Sequence, residues 1–440
     1  MKKHTQSPYE SSKVSYKPSG IEWLGEIPKH WEICKLNKVS YFINGYAFES
    51  SHFDYSFSIP VIRIGDIQND KIIYHTCLMT KEQENLKNFM IYRGDIVIAL
   101  SGATTGKFAV CNSNKKAYIN QRVAIIRSDI KILKYYLSTF GFVNYIDMLC
   151  NGSAQPNIST KEVGNFKIPL PPLQEQKEIA EFLDSKCEKI QNYIEKKQKL
   201  ITLLQEKKQA LINEAATKGL NPNIESKNSG IEYLGLIPHH WEVRRVATLG
   251  KFFKGSNISK NDLQDSGVSV VLYGDIYTKY EIKTKQFQSK IAENFAKDKT
   301  QILCGDLLFS GSGETKEDIG KCICYLGNEK AYVGGDVIVL RQMGQDSLFL
   351  SYVLNSDYIK YQKAVISKGE IIIHIYASNL RDLKIPLPPL QEQKEIAAFL
   401  DSKVAQIDSV IEKTKKQIEL IKEYKNTLIN EAVCGRIRLN

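Results

Sequence analysis

The thirteen residues IPLPPLQEQKEIA occupy positions 168–180 and occur again, unchanged, at 385–397. A segment repeated without substitution is the strongest constraint in the chain, because each copy must launch the same local structure and whatever follows must exist twice. The likeness extends further. Across 167–186 and 384–403 nineteen of twenty residues agree, Glu181 against Ala398 being the exception. LINEA at 211–215 returns at 428–432, and GIEWLGEIPKHWE at 20–32 returns as GIEYLGLIPHHWE at 230–242. The first pairs share an offset of 217 and the last an offset of 210, so the second copy has gained seven residues in between. There the halves are only faintly alike. GDIVIALSG (94–102) answers GDLLFSGSG (305–313), and AYINQRVAIIR (117–127) answers AYVGGDVIVLR (331–341). A variable module thus alternates with a near-identical segment, twice.

The near-identical segment reads as a long helix. Pro169, Pro171 and Pro172 suit its approach rather than its interior, and neither Pro nor Gly follows until Gly219. Apolar residues then recur in a 4-3 pattern at Leu183, Ile190, Ile194, Ile201, Leu204 and Leu211, and again at Leu400, Ile407, Ile411, Ile418, Ile421 and Leu428. Such a seam is the signature of a coiled coil. A helix of about 45 residues spans roughly 60 to 70 Å and is not stable on propensity alone, so the seam requires a partner. The economical partner is the other copy, paired antiparallel within the chain. Packing of each helix on its own module, or pairing between chains, is the alternative.

The expected fold is therefore α+β: two α/β modules separated by two long antiparallel helices that form an intramolecular coiled coil, with a pseudo-two-fold internal repeat. The expected bounds are a tail at 1–19, a module at 20–168, a helix at 169–218, a linker at 219–229, a module at 230–385, a helix at 386–434 and a tail at 435–440. Within the modules, β-branched runs such as IPVIRI, GDIVIAL, VAIIR, GDLLF and DVIVL read as strands. Helical stretches are expected near 132–149 and 348–365.

Formal net charge is +11, which invites a polyanion. The helices do not supply it: 174–218 and 391–434 together hold sixteen lysines against sixteen acidic residues. The excess belongs to the modules and the tail, so a polyanion should touch those, with the helices as spacers. The opening MKKHTQSPYESSKVSYKPSG offers no signal-peptide core, and no stretch approaches eighteen apolar residues, so a cytoplasmic protein without membrane association is expected. Nine cysteines and seven histidines show no CxxC pair and no zinc spacing. Buried thiols and no metal are the expectation.

SGATTGK at 101–107 looks at first like a phosphate-binding loop. A Walker A motif needs four residues before its Gly-Lys and a Ser or Thr after it; GATTGK has three, and Phe108 follows. The sequence also lacks the N/D-P-P-Y/F tetrapeptide of adenine methyltransferases, a PD…(D/E)xK cluster, G-x-S-x-G and HExxH. No catalytic residue is assigned, and a binder is expected rather than an enzyme. Short polar and basic side chains can meet DNA phosphates and base edges. The candidates are Tyr46, Thr104, Thr105, Lys107, Gln121 and Arg122 in the first module, and Lys254, Ser256, Asn257, Thr315, Lys316 and Lys321 in the second. A stand-alone DNA methyltransferase, or a coiled-coil interaction protein that never touches DNA, is the competing class.

GIEWLGEIPKHWE opening a module, IPLPPLQEQKEIA closing it, a heptad helix running into LINEAATKGL, and then the set again: this order resembles the specificity subunit of type I restriction-modification systems. The resemblance covers nearly the whole chain. It implies two target-recognition domains, each reading one half of a bipartite, asymmetric double-stranded DNA sequence. It further implies helices that set the spacing and dock two modification (methyltransferase) subunits, which carry S-adenosylmethionine and methylate DNA, while ATP-dependent restriction subunits add the translocase and nuclease. This chain then binds no cofactor itself. Gln174, Glu175 and Glu178, with Gln391, Glu392 and Glu395, start the two helices; partner docking and interaction with the helix dipole are the two readings of them.

Overall fold

The computed structural model describes residues 15–152, 155–231 and 233–437. Residues 1–14 and 438–440 of the two expected tails lie outside these. The chain divides into two compact units, Met1–Lys196 with Lys416–Asn440, and Lys197–Lys415. The division falls inside both long helices, so each unit owns one module and one half of each helix.

The long helices are Leu173–Lys218 and Leu390–Val433. They start later than the expected bounds of 169 and 386 because Lys167–Leu170 and Lys384–Leu387 are strands. Each pairs antiparallel with a strand near the start of its own module, Glu32–Lys35 and Glu242–Arg245. Pro169 and Pro386 are tolerated there since each sheet has only two strands, and an edge position needs no second row of N–H donors. The heptad positions Leu183, Ile190, Ile194, Ile201, Leu400, Ile411, Ile418 and Leu428 are buried, while Leu204, Leu211, Ile407 and Ile421 are half-buried. In unit 2 the helix halves run antiparallel. Lys208 donates to Asp408 at 2.8 Å, and one turn further along, Ile212 packs with Leu400 and Val404. Here the apolar stripe leaves the heptad positions, and Ile212, Ala215 and Ala216 merge with the core of the second module, as the drift between 3.6 and 3.5 residues per turn dictates.

Both modules are built around one antiparallel sheet. In unit 1 its order is Phe108–Val110, Ile96–Ala99, Val123–Arg127, Tyr41–Asn44. Unit 2 repeats it with Cys322–Tyr325, Leu307–Ser310, Val337–Gln342 and Gly250–Lys254, adding Lys283–Thr284 in parallel at the edge. The inner strands are apolar at nearly every position because both faces are covered. Leu308, Val337 and Val339 pack on the side of the second sheet, and Leu307, Phe309, Ile338 and Leu340 on the side of the helices, as the alternation of side chains along a strand requires. The second sheet also recurs: Tyr118–Ile119, Ile59–Ile62 and Leu78–Thr80 in unit 1 match Ala331–Val333, Val268–Val271 and Ser289–Ile291 in unit 2.

Each single expected helix near 132–149 and 348–365 is a pair. Leu133–Leu137 is followed by Phe140–Cys150, and Ser347–Leu354 by Asp357–Ile366. The break in the first module follows from Thr139, whose side chain accepts from the Phe142 N–H and so starts a new helix.

Candidate nucleic-acid interface

The strand registers decide where the candidate polar residues emerge. Ala99 lies opposite Val123 and Asn44 opposite Ala124, so segments 44–46, 100–107 and 120–122 leave the same end of the central sheet. In unit 2, Ser310 opposes Val337 and Lys254 opposes Ile338, which brings 254–257, 311–321 and 334–336 to the equivalent end. All twelve residues singled out in the sequence sit on these segments. The structure thus gathers six of them at one rim in each module.

Their side chains are not equally available. Lys107, Gln121 and Arg122 are exposed in unit 1, as are Lys254, Asn257, Thr315 and Lys316 in unit 2. These offer cations and amides to a ligand lying across the rim. Others hold the rim together. Thr105 donates to the Gly102 carbonyl at 2.7 Å and Thr104 to that of Ile64 at 3.4 Å, fixing the Gly-rich turn. Tyr46 packs edge-on against Phe48 at 5.0 Å and near Phe89 at 5.4 Å, so much of its ring serves an aromatic cluster. The Ser256 hydroxyl accepts from the Thr300 N–H at 2.7 Å.

Lys321 departs furthest from the expectation of a phosphate contact. Its side chain is 19% exposed, its ammonium donates to the Tyr277 carbonyl at 3.3 Å, and Glu281 lies 3.7 Å away. Burial holds its pKa below the ordinary lysine value despite Glu281. The glycine before it has a φ of +70°, but that turn does not by itself set the direction of the lysine. Lys107 follows Gly106 in the same conformation, at +80°, and stays exposed.

The rim also contains residues that the sequence reading missed. Ser101 bridges Asn157, and Gly102 N–H donates to the Pro156 carbonyl. In unit 2 the Gly-rich strand Ser312–Gly313 pairs with Ile373–His374, and His374 stacks on Tyr376, which is 54% exposed. The signal was the clustering of turn and aromatic residues in QPNIS and IHIYASN, but nothing local says that these loops return to the rim.

A sequence family described as the type I restriction modification DNA specificity domain matches residues 28–205 and again 238–420. The chain belongs to this family. Among relatives, it is similar to the type I restriction enzyme MjaVIII specificity subunit of Methanocaldococcus jannaschii, at 28% identity over 80% of this chain and 81% of that one. It is also similar to the EcoBI specificity subunit of Escherichia coli, at 23% identity over 95% and 88%. A solved chain from work on complex assembly and conformational transition of the type I restriction-modification system shares the fold, with a TM-score of 0.69 at 17% identity over 93% of this chain and 99% of that one.

In this specificity-family chain the repeated QEQ phrase has a structural meaning. Trp31 Nε1 donates to Glu175 at 2.9 Å, and His30 lies 2.7 Å from the other carboxylate oxygen. Trp241 and His240 treat Glu392 in the same way, at 3.1 and 2.7 Å. Gln176 and Gln393 fold back to donate to the Pro171 and Pro388 carbonyls. Glu175 and Glu392, expected to dock partners, therefore clamp each helix start to the HW pair of its own module. Gln174 bonds Glu178, and Gln391 bonds Glu395, in exposed i,i+4 pairs. These four remain on the surface. Among the described residues, no helix is long and apolar enough to cross a membrane.

Proposed function

We propose that this chain is the DNA-recognition subunit of a type I restriction-modification complex, with each module reading one half of a two-part double-stranded target through the rim of its central sheet. The observation that carries the reading is the rim itself. A repeated scaffold presents Lys107, Gln121 and Arg122 in one module and Lys254, Asn257, Thr315 and Lys316 in the other, so one strand order offers two different sets of donors. Phosphate contacts by the lysines would position the duplex, and amide and guanidinium groups suit base edges.

On this reading the helices set the separation of the two half-sites. The exposed Gln174–Glu178 and Gln391–Glu395 pairs, alike in sequence and bonding, suit two identical modification subunits. S-adenosylmethionine would reside on those subunits, restriction subunits would complete the nuclease, and this chain would contribute no catalytic group. The setting is the cytoplasm.

Exchanging residues 21–168 for another module is the decisive experiment. One half of the methylated sequence should change and the other persist; a change in both halves would sink the two-reader scheme. At single-residue level, Lys107→Ala should reduce the salt slope of DNA binding by about one. Lys321→Ala should leave it unchanged, since that ammonium is turned inward.

A further inference from the structure

Inside unit 2, between the second module and its halves of the long helices, lies a cavity of about 290 Å³. Lys208, Lys321, Lys360 and Lys363 line it, against the carboxylates of Glu281 and Asp318. Three of the lysines have acidic neighbours: Asp408 at 2.8 Å from Lys208, Glu281 at 3.7 Å from Lys321 and Asp357 at 3.6 Å from Lys360. Lys363 differs. It is 1% exposed, and its ammonium donates to the Gly320 and Leu354 carbonyls at 2.6 and 2.7 Å. Among the described residues it forms no ion pair. Two carbonyls, one of them at a helix end, and the Phe309 ring 5.6 Å from the ammonium offset part of the desolvation cost, but none of them carries the counter-charge that a buried charge calls for.

Unit 1 has a cavity at the equivalent place, larger at about 610 Å³ and lined by Lys107, Lys134 and Lys425 with Asp70 and Asp147, but without a counterpart of the buried Lys363. Under the offset of 217, Lys208, Ile212 and Val404 correspond to Lys425, Ile429 and Cys187, and these line the cavity of unit 1. Val143 and Ile146 stand where unit 2 has Lys360 and Lys363. The match is spatial as well: a side chain added at Gly106 would meet Ile146, and one added at Gly320 would meet Lys363. Branched apolar side chains serve this position in one copy, so the fold itself does not require two lysines in the other.

We infer that the unit 2 cavity is a binding site for a compact phosphate-type anion, with Lys363, Lys360 and Lys321 of its lining as the cations that hold it. All four lining cations are lysines. Ammonium point charges on several lining elements suit a tetrahedral oxyanion, whereas a planar carboxylate is better met by the fork of an arginine. The source is a free small anion rather than a DNA backbone phosphate, because a phosphate held on a stiff duplex does not reach a group that is 1% exposed.

The test is calorimetric titration of the full chain with pyrophosphate, with ionic strength held constant by chloride. One saturable equivalent per chain is expected. Lys363→Met should weaken binding about tenfold, in line with the loss of one charge-assisted hydrogen bond. Lys360→Val, which installs the residue of the other unit at a partly exposed position, should weaken it about threefold and guards against a folding defect in the first variant. Lys425→Met, in the cavity of unit 1, which has Ile146 in place of Lys363, should change nothing. Absence of saturable binding beyond the chloride control overturns the site, as does wild-type affinity in both Lys363→Met and Lys360→Val. Repeating the titration with saturating mixed-sequence duplex should leave the affinity unaltered; competition by duplex would assign the cavity to the DNA backbone and overturn the free-anion ligand.

Discussion

The cavities of the two units are one architectural space furnished twice. Both are bounded by the same stripe of a long helix, Lys208 to Ile212 in one and Lys425 to Ile429 in the other, and by the second helix of a module's pair. One is finished with Val143 and Ile146, the other with Lys360 and Lys363. The difference teaches where the repeat stops being enforced. Residues that carry the junction, such as the Trp–His–Glu clamp, are repeated atom for atom, whereas side chains one layer away have been free to change polarity.

Four experiments set sameness against difference. The largest effect belongs to the clamp. Trp31 and Trp241 are among the largest fully buried side chains, and replacing either by Ala should cost about 3 to 5 kcal/mol. Hydrogen exchange should show protection lost first in the unit that bears the substitution. Equal loss in both units would mean that they unfold as one block, and the comparison would lose its footing.

Next in size is an ion pair that recurs at the opposite end of each sheet. Asp95 receives Arg127 and the Tyr92 N–H, and Asp306 receives Arg341 and the Leu303 N–H, with the shortest contacts at 2.7 Å in both. Asp95→Ala and Asp306→Ala should each cost about 2 to 3 kcal/mol, because a nearly buried acceptor of several donors is removed. The two costs should agree to within about 0.5 kcal/mol in urea unfolding; a wide gap would show that like geometry hides unlike energetics.

The third experiment addresses the difference itself. Burial pushes Lys363 down from 10.5 to about 8, opposed slightly by Cys322 on the neighbouring strand and reinforced by Lys360 one turn earlier. Between those pH values the unfolded chain holds a proton that the folded one has released, so this lysine makes stability rise with pH across that window. Wild type should therefore gain on Lys363→Met, by on the order of 1 to 2 kcal/mol between about pH 7.5 and about 10. Urea midpoints that run parallel would place the lysine's titration outside this range. The smallest effect concerns Lys208→Met, which removes the partly exposed pair with Asp408 and should cost about 0.5 kcal/mol.

How much of this was readable in the sequence depended on the range over which each interaction acts. The long helices declare themselves through a 4-3 pattern that recurs every seven residues, and the buried faces of Leu183, Ile194 and Ile411 follow from it. The rim was legible in outline, because Gly, Ser and Asn mark the turns that end the strands. The clamp was not. Trp31 and Glu175 are 144 residues apart, and a glutamate in the first turn of a helix looks the same whether it faces solvent, a partner or an indole N–H. Lys321 misled for a related reason: the sequence gives its charge, but only the Tyr277 carbonyl and Glu281, both distant in sequence, give its direction. Tyr46 was among the candidate DNA contacts, yet Phe48 and Phe89 pack against its ring.

Because the division between the units cuts both long helices, a chain of residues 15–218 alone would carry both kinds of helix half and lack a mate for each. Its own second copy can supply them: 173–186 differs from 390–403 at one position, and 211–215 matches 428–432. Two such fragments would exchange halves and close as a symmetric dimer. At the position of Asp408 they would place Gln191, so Lys208 would meet an amide, and the exchange would forgo one ion pair in each half. With two copies of a single reader, the dimer would select an inverted repeat. On the two-reader scheme proposed above, an asymmetric target would follow from having two unlike modules in one chain.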